Sequence, residues 1–296
     1  MPKFGASIYG ISRLITKGEL CPIDAVTWMC ENGCEVIEIV PFGIDLLSNP
    51  TLAGKMRRAA EKFNVAIDNY SLNADILLKS ESEYKDEVAR IKSHILAARD
   101  LGITTFRCDC AGYRRPLEKN TIDMFISELP LITQTYEELA EFTERLDIKL
   151  LLENHGFHIN GSDRMQLVLN SVKSSNLGFQ LDVGNFICMD ESPLIATKKM
   201  MPWASTIHLK DFYVRQNDPG DATQFDCSGA WFRSVGGQYL RGSIMGQGDF
   251  DMIAIIKHIK QTGFDGNIYV EYEGMEECFY GVRVSVNNLK RIYNEV

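Results

Sequence analysis

Basic charge, cysteine pairs and long apolar runs are what this chain of 296 residues has least of. Lys and Arg number 31 against 40 Asp and Glu, a net charge of -9, which argues against nucleic acid or an anionic membrane as partner. Five histidines are few for an imidazole-built multi-metal cluster. The eight cysteines (21, 30, 34, 108, 110, 188, 227 and 278) contain no CxxC pair and no even framework spacing, so reduced thiols are expected. Cys108 and Cys110 in RCDCAG would share one strand face as a thiolate pair, but with no second pair nearby they read as structural thiols. The opening MPKFGASIYGISR lacks an apolar stretch of signal-peptide length, and no window approaches the ~20 apolar residues that span a bilayer, so the expected location is cytoplasmic.

What is present is alternation. Strand-like apolar runs occur at 3–10, 35–43, 65–73, 104–112, 148–156, 177–185, 205–213 and 267–274, with helix-period stretches between and after them. Gly33, Gly102 and Gly263 each follow a helical pattern and read as C-terminal caps. With 45% hydrophobic content and no low-complexity tract, the pattern predicts the α/β class: one (β/α)₈ barrel domain over 1–296. One connection breaks the spacing. An insertion of about 213–248 after the seventh strand far exceeds the usual βα loop of roughly 2–6 residues, and it is expected over the active rim.

Four polar residues close apolar runs: Glu153 in IKLLLE, Asp182 in LGFQLD, His208 in STIHL and Glu271 in NIYVE. In a parallel barrel such residues meet at the C-terminal rim, where carboxylates and an imidazole would bind a divalent metal. Helix capping or rim ion pairing is the ordinary fate of any one of them alone. Glu273 also points inward by period two and reads as a support for the ligands or a substrate contact. His155, two residues after Glu153, is the candidate general base, with a structural histidine as the rival reading. His158 is either a surface residue or a substrate contact, and Lys210 either steadies an anionic intermediate or pairs with a rim carboxylate. His94 and His258 fall within helical patterns and are expected on the barrel exterior. The insertion carries Phe212, Tyr213, Phe225, Trp231, Phe232, Arg233, Tyr239 and Arg241, enough to cover a flat or bulky substrate group, or else to pack the loop onto the barrel.

LLENHG, LDVGNF, IHLKDF, GQGDFD and GFDGNIYVEYEG together resemble the xylose-isomerase-like barrels, the group described as sugar phosphate isomerases and epimerases. The resemblance covers most of the chain and is strongest from Leu151 onward. It implies Glu153, Asp182, His208 and Glu271 as metal ligands, with Glu153 and Glu271 also acting on opposite faces of a sugar, and Asn185 as a substrate contact. Manganese is the first expectation for the ion, with Mg²⁺, Co²⁺, Zn²⁺ and Fe²⁺ as alternatives. Within the group the motifs are most similar to 3-keto-sugar epimerases and to the large metal-binding subunits of C-glycoside deglycosidases. Both would start by removing the proton next to the ketone to give an enediolate. Elimination of the aglycone, a lyase outcome, is the first expectation, because of the aromatic insertion and His155; reprotonation, an isomerase or epimerase outcome, is the second. An oligomer is expected, and the deglycosidase resemblance further implies a small second subunit as an obligate partner. A phosphodiester-cleaving barrel of the endonuclease IV type would need more histidine and a basic face, and a non-catalytic scaffold would be indifferent to metal removal. GGQYLRG and GQGD lack the lysine of a phosphate cradle, which disfavours a phosphorylated substrate.

Overall fold

Every apolar run of the sequence pattern forms a strand, and each strand is shorter than its run. The computed structural model describes residues 1–113, 115–220 and 230–296; Phe225, Cys227 and the 221–229 portion of the expected insertion lie outside the described residues. In chain order the strands are β1 (Phe4–Ser7), β2 (Val36–Ile39), β3 (Ala66–Leu72), β4 (Thr105–Cys108), β5 (Lys149–Glu153), β6 (Leu177–Asp182), β7 (Ala204–Leu209), β8 (Asp211–Arg215), β9 (Phe232–Arg233), β10 (Tyr239–Ser243) and β11 (Ile268–Val270). Eight of them close a parallel barrel in the order β1-β11-β7-β6-β5-β4-β3-β2, while β8, β10 and β9 form a separate antiparallel sheet. Helices at Pro22–Glu31, Pro50–Glu61, Glu81–Ala98, Ile122–Glu144, Ser162–Ser171, Pro193–Met200, Met252–Gln261 and Cys278–Glu295 wrap it, as the alternation predicts.

Local chemistry sets the boundaries. Ser80 and Glu83 form a capping box at the start of Glu81–Ala98, and the Asp251 carboxylate accepts the Ala254 N–H at the start of Met252–Gln261. Gly33, Gly102 and Gly263 end their helices in the left-handed region at φ 93°, 85° and 73°. The β6 strand stops at Asp182 because Asp182 Oδ1 accepts the N–H groups of Gly184 (2.7 Å) and Asn185 (3.0 Å), turning the chain at once. The next glycine is needed for space rather than torsion. A Cβ on Gly184 would come within 2.8 Å of the Lys210 backbone oxygen, so DVGN admits no side chain there.

The β8-β10-β9 sheet is held by its own aromatics. Phe157, Phe212, Leu240, Ile187 and Cys188 form an apolar cluster apart from the main core, with Phe232 and Phe250 packed on it. Phe212 meets Phe232 edge-on at 5.7 Å and Phe250 at 6.1 Å. The Arg241 guanidinium sits over Tyr213 at 4.9 Å and over Trp231 at 5.0 Å, and Arg233 lies 4.7 Å over Tyr239 while donating to its hydroxyl at 2.6 Å. Asp211 ties this sheet to the GQGDF turn: its carboxylate accepts the N–H groups of Phe212, Gly246 and Gly248 at 2.9 Å each. Among the described residues, seven cysteines are free, and no helix is long and apolar enough to cross a membrane.

Because Asp211 satisfies several backbone donors in a buried position, Asp211→Ala leaves them without acceptors. The expected loss is roughly 2–4 kcal/mol of folding stability, measured by chemical denaturation; a change under about 0.5 kcal/mol would show the turn to be held by other means.

Candidate metal centre and cavity

Register brings the polar strand ends to one level. Glu153 aligns with Gln180, Asp182 with His208, and His208 with Tyr269, so β5, β6, β7 and the residue after β11 point their last side chains at a common centre. Glu153, Asp182, His208 and Glu271 each offer one ligand atom, and these atoms all lie within 4.8 Å of one another. His208 Nδ1 is 3.4 Å from Glu153, 3.8 Å from Asp182 and 3.7 Å from Glu271.

The other face of His208 decides how it is used. His208 Nε2 lies 2.8 Å from Glu38 Oε2, which also accepts from Asn69 Nδ2 at 2.7 Å and Ser71 Oγ at 2.8 Å. Three donors converging on one oxygen identify an acceptor carboxylate, so the imidazole carries its proton on Nε2. Nδ1 faces the acidic cluster, buried and without a hydrogen-bond partner; against burial, Glu38 and then Glu153 and Glu271 raise the imidazole well above its ordinary pKa, so that a proton sits on Nδ1 where no other cation takes its place. Asp182 Oδ2 is in the same condition, its Oδ1 having been spent on the backbone turn. Burial raises the Asp182 carboxyl to about 7 in spite of the Lys210 ammonium beside it. Two buried ligand-type atoms that make no hydrogen bond, aimed into one acidic cluster, fit a cation.

The charge balance points the same way. Glu38, Asp109, Glu153, Asp182, Glu271 and Glu273 surround the centre, with side-chain exposures no greater than 13%. The fixed cations facing them are Arg107 and Lys210. Arg107 pairs with Asp109 at 2.5 Å and with Glu153. Lys210 reaches Glu271 at 2.5 Å, Glu273 at 3.2 Å and Asp182 at 3.3 Å, with Asn185 Oδ1 at 3.1 Å. Against the effect of burial, Arg107 and then His208 hold the Glu153 carboxyl down to about 2, and Lys210 holds Glu271 well below the carboxylate range. Two carboxylates at this spacing repel by roughly 3–4 kcal/mol at an effective dielectric of 20, which two monocations among these acids do not cancel. A dication held by Glu153, Asp182, His208 and Glu271 would offset two more of these charges.

Glu153, His208 and Glu271 of the cluster, with Arg107, Tyr113, His155 and Glu273, help to line a cavity of about 670 Å³, and Asp182 is not among its lining residues. His155 lies beyond the end of β5 yet lines it, its Nδ1 3.1 Å from Asp109 Oδ2. Burial alone would lower its pKa, but the Asp109 carboxylate outweighs it and the net shift is upward. Asn185 and Lys210 sit beneath the lining residues, and His158 and Arg233 are not part of it. His158 is not on the surface: it is 1% exposed, with Nε2 2.8 Å from Glu128, which also takes Arg115 at 2.8 Å. His94 hydrogen-bonds the Tyr70 hydroxyl at 2.9 Å. Sequence reasoning passes over Glu38, Asn69, Arg107, Asp109 and Gln180; the available signal was a polar residue inside each apolar run.

Against a family model described as the xylose isomerase-like TIM barrel, residues 26–292 match. The chain belongs to that family. No curated protein sequence matches it. Among solved structures it is similar to the probable 3-DHS dehydratase of Bacillus anthracis, at 16% identity with a TM-score of 0.75 over 98% of this chain and 99% of the other. It is also similar to D-psicose 3-epimerase of Clostridium cellulolyticum H10, solved with D-tagatose (12% identity, TM-score 0.72, 98% and 99% covered), and to 3-keto-D-glucoside 4-epimerase of E. coli (12%, 0.68, 98% and 100%). At these identities the likeness is one of fold.

Glu38→Gln keeps the shape and removes the charge that fixes the His208 proton. Divalent-metal affinity, measured by calorimetric titration, is expected to fall about 10–100-fold with the thermal midpoint of the metal-free protein little changed. An unchanged affinity would show that Glu38 does not orient His208. A second expectation concerns pH. Burial, and then Arg115, push His158 down to about 4, below the ~6.5 of an unfolded histidine, so the unfolded chain binds the extra proton between those values. The stability His158 contributes is complete above pH ~6.5 and is lost as pH falls toward 4. His158→Gln should flatten that part of a stability-against-pH curve; an unaltered slope would assign the acid sensitivity elsewhere.

Proposed function

We propose that this protein is a divalent-metal-dependent enzyme that removes the proton next to the carbonyl of a keto sugar or 3-keto glycoside. The observation that carries this reading is the convergence of Glu153, Asp182, His208 and Glu271 at a cavity that three of them line together with His155, which Asp109 orients. When bound there, a divalent ion supplies Lewis acidity that draws electron density from the ketone oxygen and acidifies the adjacent C–H. The charge and ligand chemistry favour manganese first, with magnesium, cobalt, zinc and iron as alternatives.

The chain's own residues do the rest. His155 has Nδ1 committed to Asp109, leaving Nε2 to take the substrate proton. Glu271 is the carboxylate on the other side, kept ionised by Lys210, and Glu273 accepts from a sugar hydroxyl while Lys210 anchors it. Arg107 fixes Glu153 and Asp109 together, so the ligand and the base move as one unit. Tyr9, Phe42 and Tyr113 wall the cavity and exclude bulk water.

Return of the proton, giving a sugar isomer or epimer, is the outcome we favour. Its support is the family and the solved epimerases of like fold. Elimination of an aglycone, as in a C-glycoside deglycosidase, is the second reading. It rests on His155 as a base independent of the metal ligands, since the insertion side chains expected to cover an aglycone, among them Phe212, Trp231, Phe232, Arg233 and Tyr239, pack within the insertion rather than lining the cavity. A small partner subunit belongs only to that second reading.

The test is incubation of the manganese-loaded protein with methyl 3-keto-β-D-glucoside in D₂O, following deuterium at the carbons beside the ketone by NMR. Expected are chelator-sensitive exchange and a new sugar isomer, with exchange reduced by at least about 100-fold in His155→Gln and in Glu271→Gln. Methanol release in place of an isomer would establish the lyase, and exchange insensitive to chelator would sink the metal-dependent reading.

A further inference from the structure

Beside the metal centre the ladder between β5 and β6 ends early. The two strands pair in register from Leu150 with Leu177 to Glu153 with Gln180, whereas β6 runs on to Asp182. The β5 backbone cannot follow, because the His155 N–H donates to the Glu153 carbonyl at 2.9 Å in a three-residue turn centred on Asn154. A side chain takes its place. Asn154 Nδ2 donates to the Asp182 carbonyl at 2.7 Å, and Asn154 Oδ1 accepts the Asp182 N–H at 2.8 Å, the two bonds that the main chain of a neighbouring strand would otherwise make. Asn154 is fully buried and is not among the residues lining the cavity, so it acts on the site only through Asp182 and through its chain neighbours Glu153 and His155.

With these two bonds Asp182 is held at every polar atom but one. Its peptide N–H and carbonyl go to Asn154, and its Oδ1 accepts from Gly184 and Asn185. Oδ2 alone makes no hydrogen bond, with the Lys210 ammonium at 3.3 Å. A carboxylate fixed at its own peptide and at one oxygen presents the other oxygen in a single direction, which is how a ligand is prepared before an ion arrives. Because Asn154 adjoins Glu153, the same bonds also fix the separation of two of the four clustered side chains. Further along the same loop, Asn160 Nδ2 donates to the Asn185 carbonyl at 2.8 Å, so the turn after Asp182 is tied to the loop after β5 as well. The residue has to be an amide. Aspartate would lack the donor for the Asp182 carbonyl and add a carboxylate beside the acidic cluster, and alanine or serine is too short to reach both groups across the ~4.8 Å between strands.

We infer that Asn154 is a positioning residue of the metal centre: its side-chain amide extends the β5-β6 ladder and sets the spacing at which Glu153 and Asp182 meet a divalent ion. This deepens the proposed function and rests on its metal-binding part, not on its sugar chemistry.

Positioning is separated from folding by removing a buried amide from each end of the same pair of strands. At the far end Asn176 Nδ2 donates to the Ile148 carbonyl at 2.9 Å, roughly 20 Å along β6 from Asp182. The probe is Mn²⁺ alone, titrated into the unaltered full chain, Asn154→Ala, Asn154→Ser and Asn176→Ala, with the free ion followed by EPR and the thermal midpoint of each metal-free protein measured alongside. Expected are a lower midpoint in both alanine variants, Mn²⁺ affinity about 10–100-fold weaker in the two Asn154 variants, and affinity within about twofold of the unaltered protein in Asn176→Ala. The EPR spectrum of the bound ion should change in the Asn154 variants and stay the same in Asn176→Ala. Asn154→Ser keeps a polar atom at the position and decides the matter if Asn154→Ala does not fold. Unchanged Mn²⁺ affinity in the Asn154 variants, or an equal loss in Asn176→Ala, would overturn the positioning role and leave the metal-dependent reading standing. Absence of Mn²⁺ binding to the unaltered chain would overturn both. Binding weakened only at Asn154, with no proton exchange on a 3-keto glucoside, would keep the positioning role and reject the sugar chemistry.

Discussion

Buried negative charge is the constraint around which this barrel is organised. Glu38, Asp109, Glu153, Asp182, Glu271 and Glu273 are brought together where water is nearly excluded. Such an assembly exists only because each acid has been given a specific counterpart. Arg107 clamps Asp109 to Glu153, Lys210 draws Glu271, Glu273 and Asp182 into one corner, and Asp182 spends an oxygen on its own turn. What the protein does not neutralise it directs toward one point, and the unpartnered atoms of His208 and Asp182 lie there. Family motifs that look like separate signatures in the sequence are parts of this arrangement. LDVGN supplies the acid, the turn and the absent side chain that lets Lys210 pass, and IHLKDF supplies a ligand, the ammonium and the acid that pins the GQGDF turn.

The fold was legible because its signal is local and repeated. Period and glycine caps located all eight barrel strands and the helices between them, and the polar strand ends disclosed which residues share a level. The layer beneath was not legible. Glu38 meets His208 across 170 positions, and Asn69 meets Gln180 across 111. In sequence each is simply a polar residue inside an apolar run, and a strand with two faces does not say which polar residue is inward. Only closure of the barrel makes neighbours of β2, β3, β6 and β7 side chains. The aromatic insertion misled for a related reason: composition reveals a supply of rings but not whether they face a ligand or one another, and Phe212, Phe232 and Phe250 face one another. His158 is similar, a loop histidine by sequence that the Glu128 carboxylate holds inward.

The two halves of the rim therefore carry different tasks. From β5 onward come the residues suited to holding an ion and moving a proton, whereas the loops after β1, β2, β3 and β4 supply Tyr9, Phe42, Asn73 and Tyr113 as walls. Chemistry on one side and shape on the other is an arrangement in which substrate range can change through wall residues without disturbing the charge balance.

The Glu38 to His208 contact also orders events in time. All four ligand-bearing side chains belong to the second half of the chain, while the carboxylate that sets the His208 proton belongs to the second strand and is held there by Asn69 and Ser71. Strands β1 to β4 emerge first during synthesis and carry Glu38, Asn69 and Ser71, but none of the four clustered residues. The site comes into being in a single event, when the strand preceding Glu271 docks between β7 and β1 and closes the ring. An ion held by these four residues would couple its own binding to barrel closure and to the seating of the last strand.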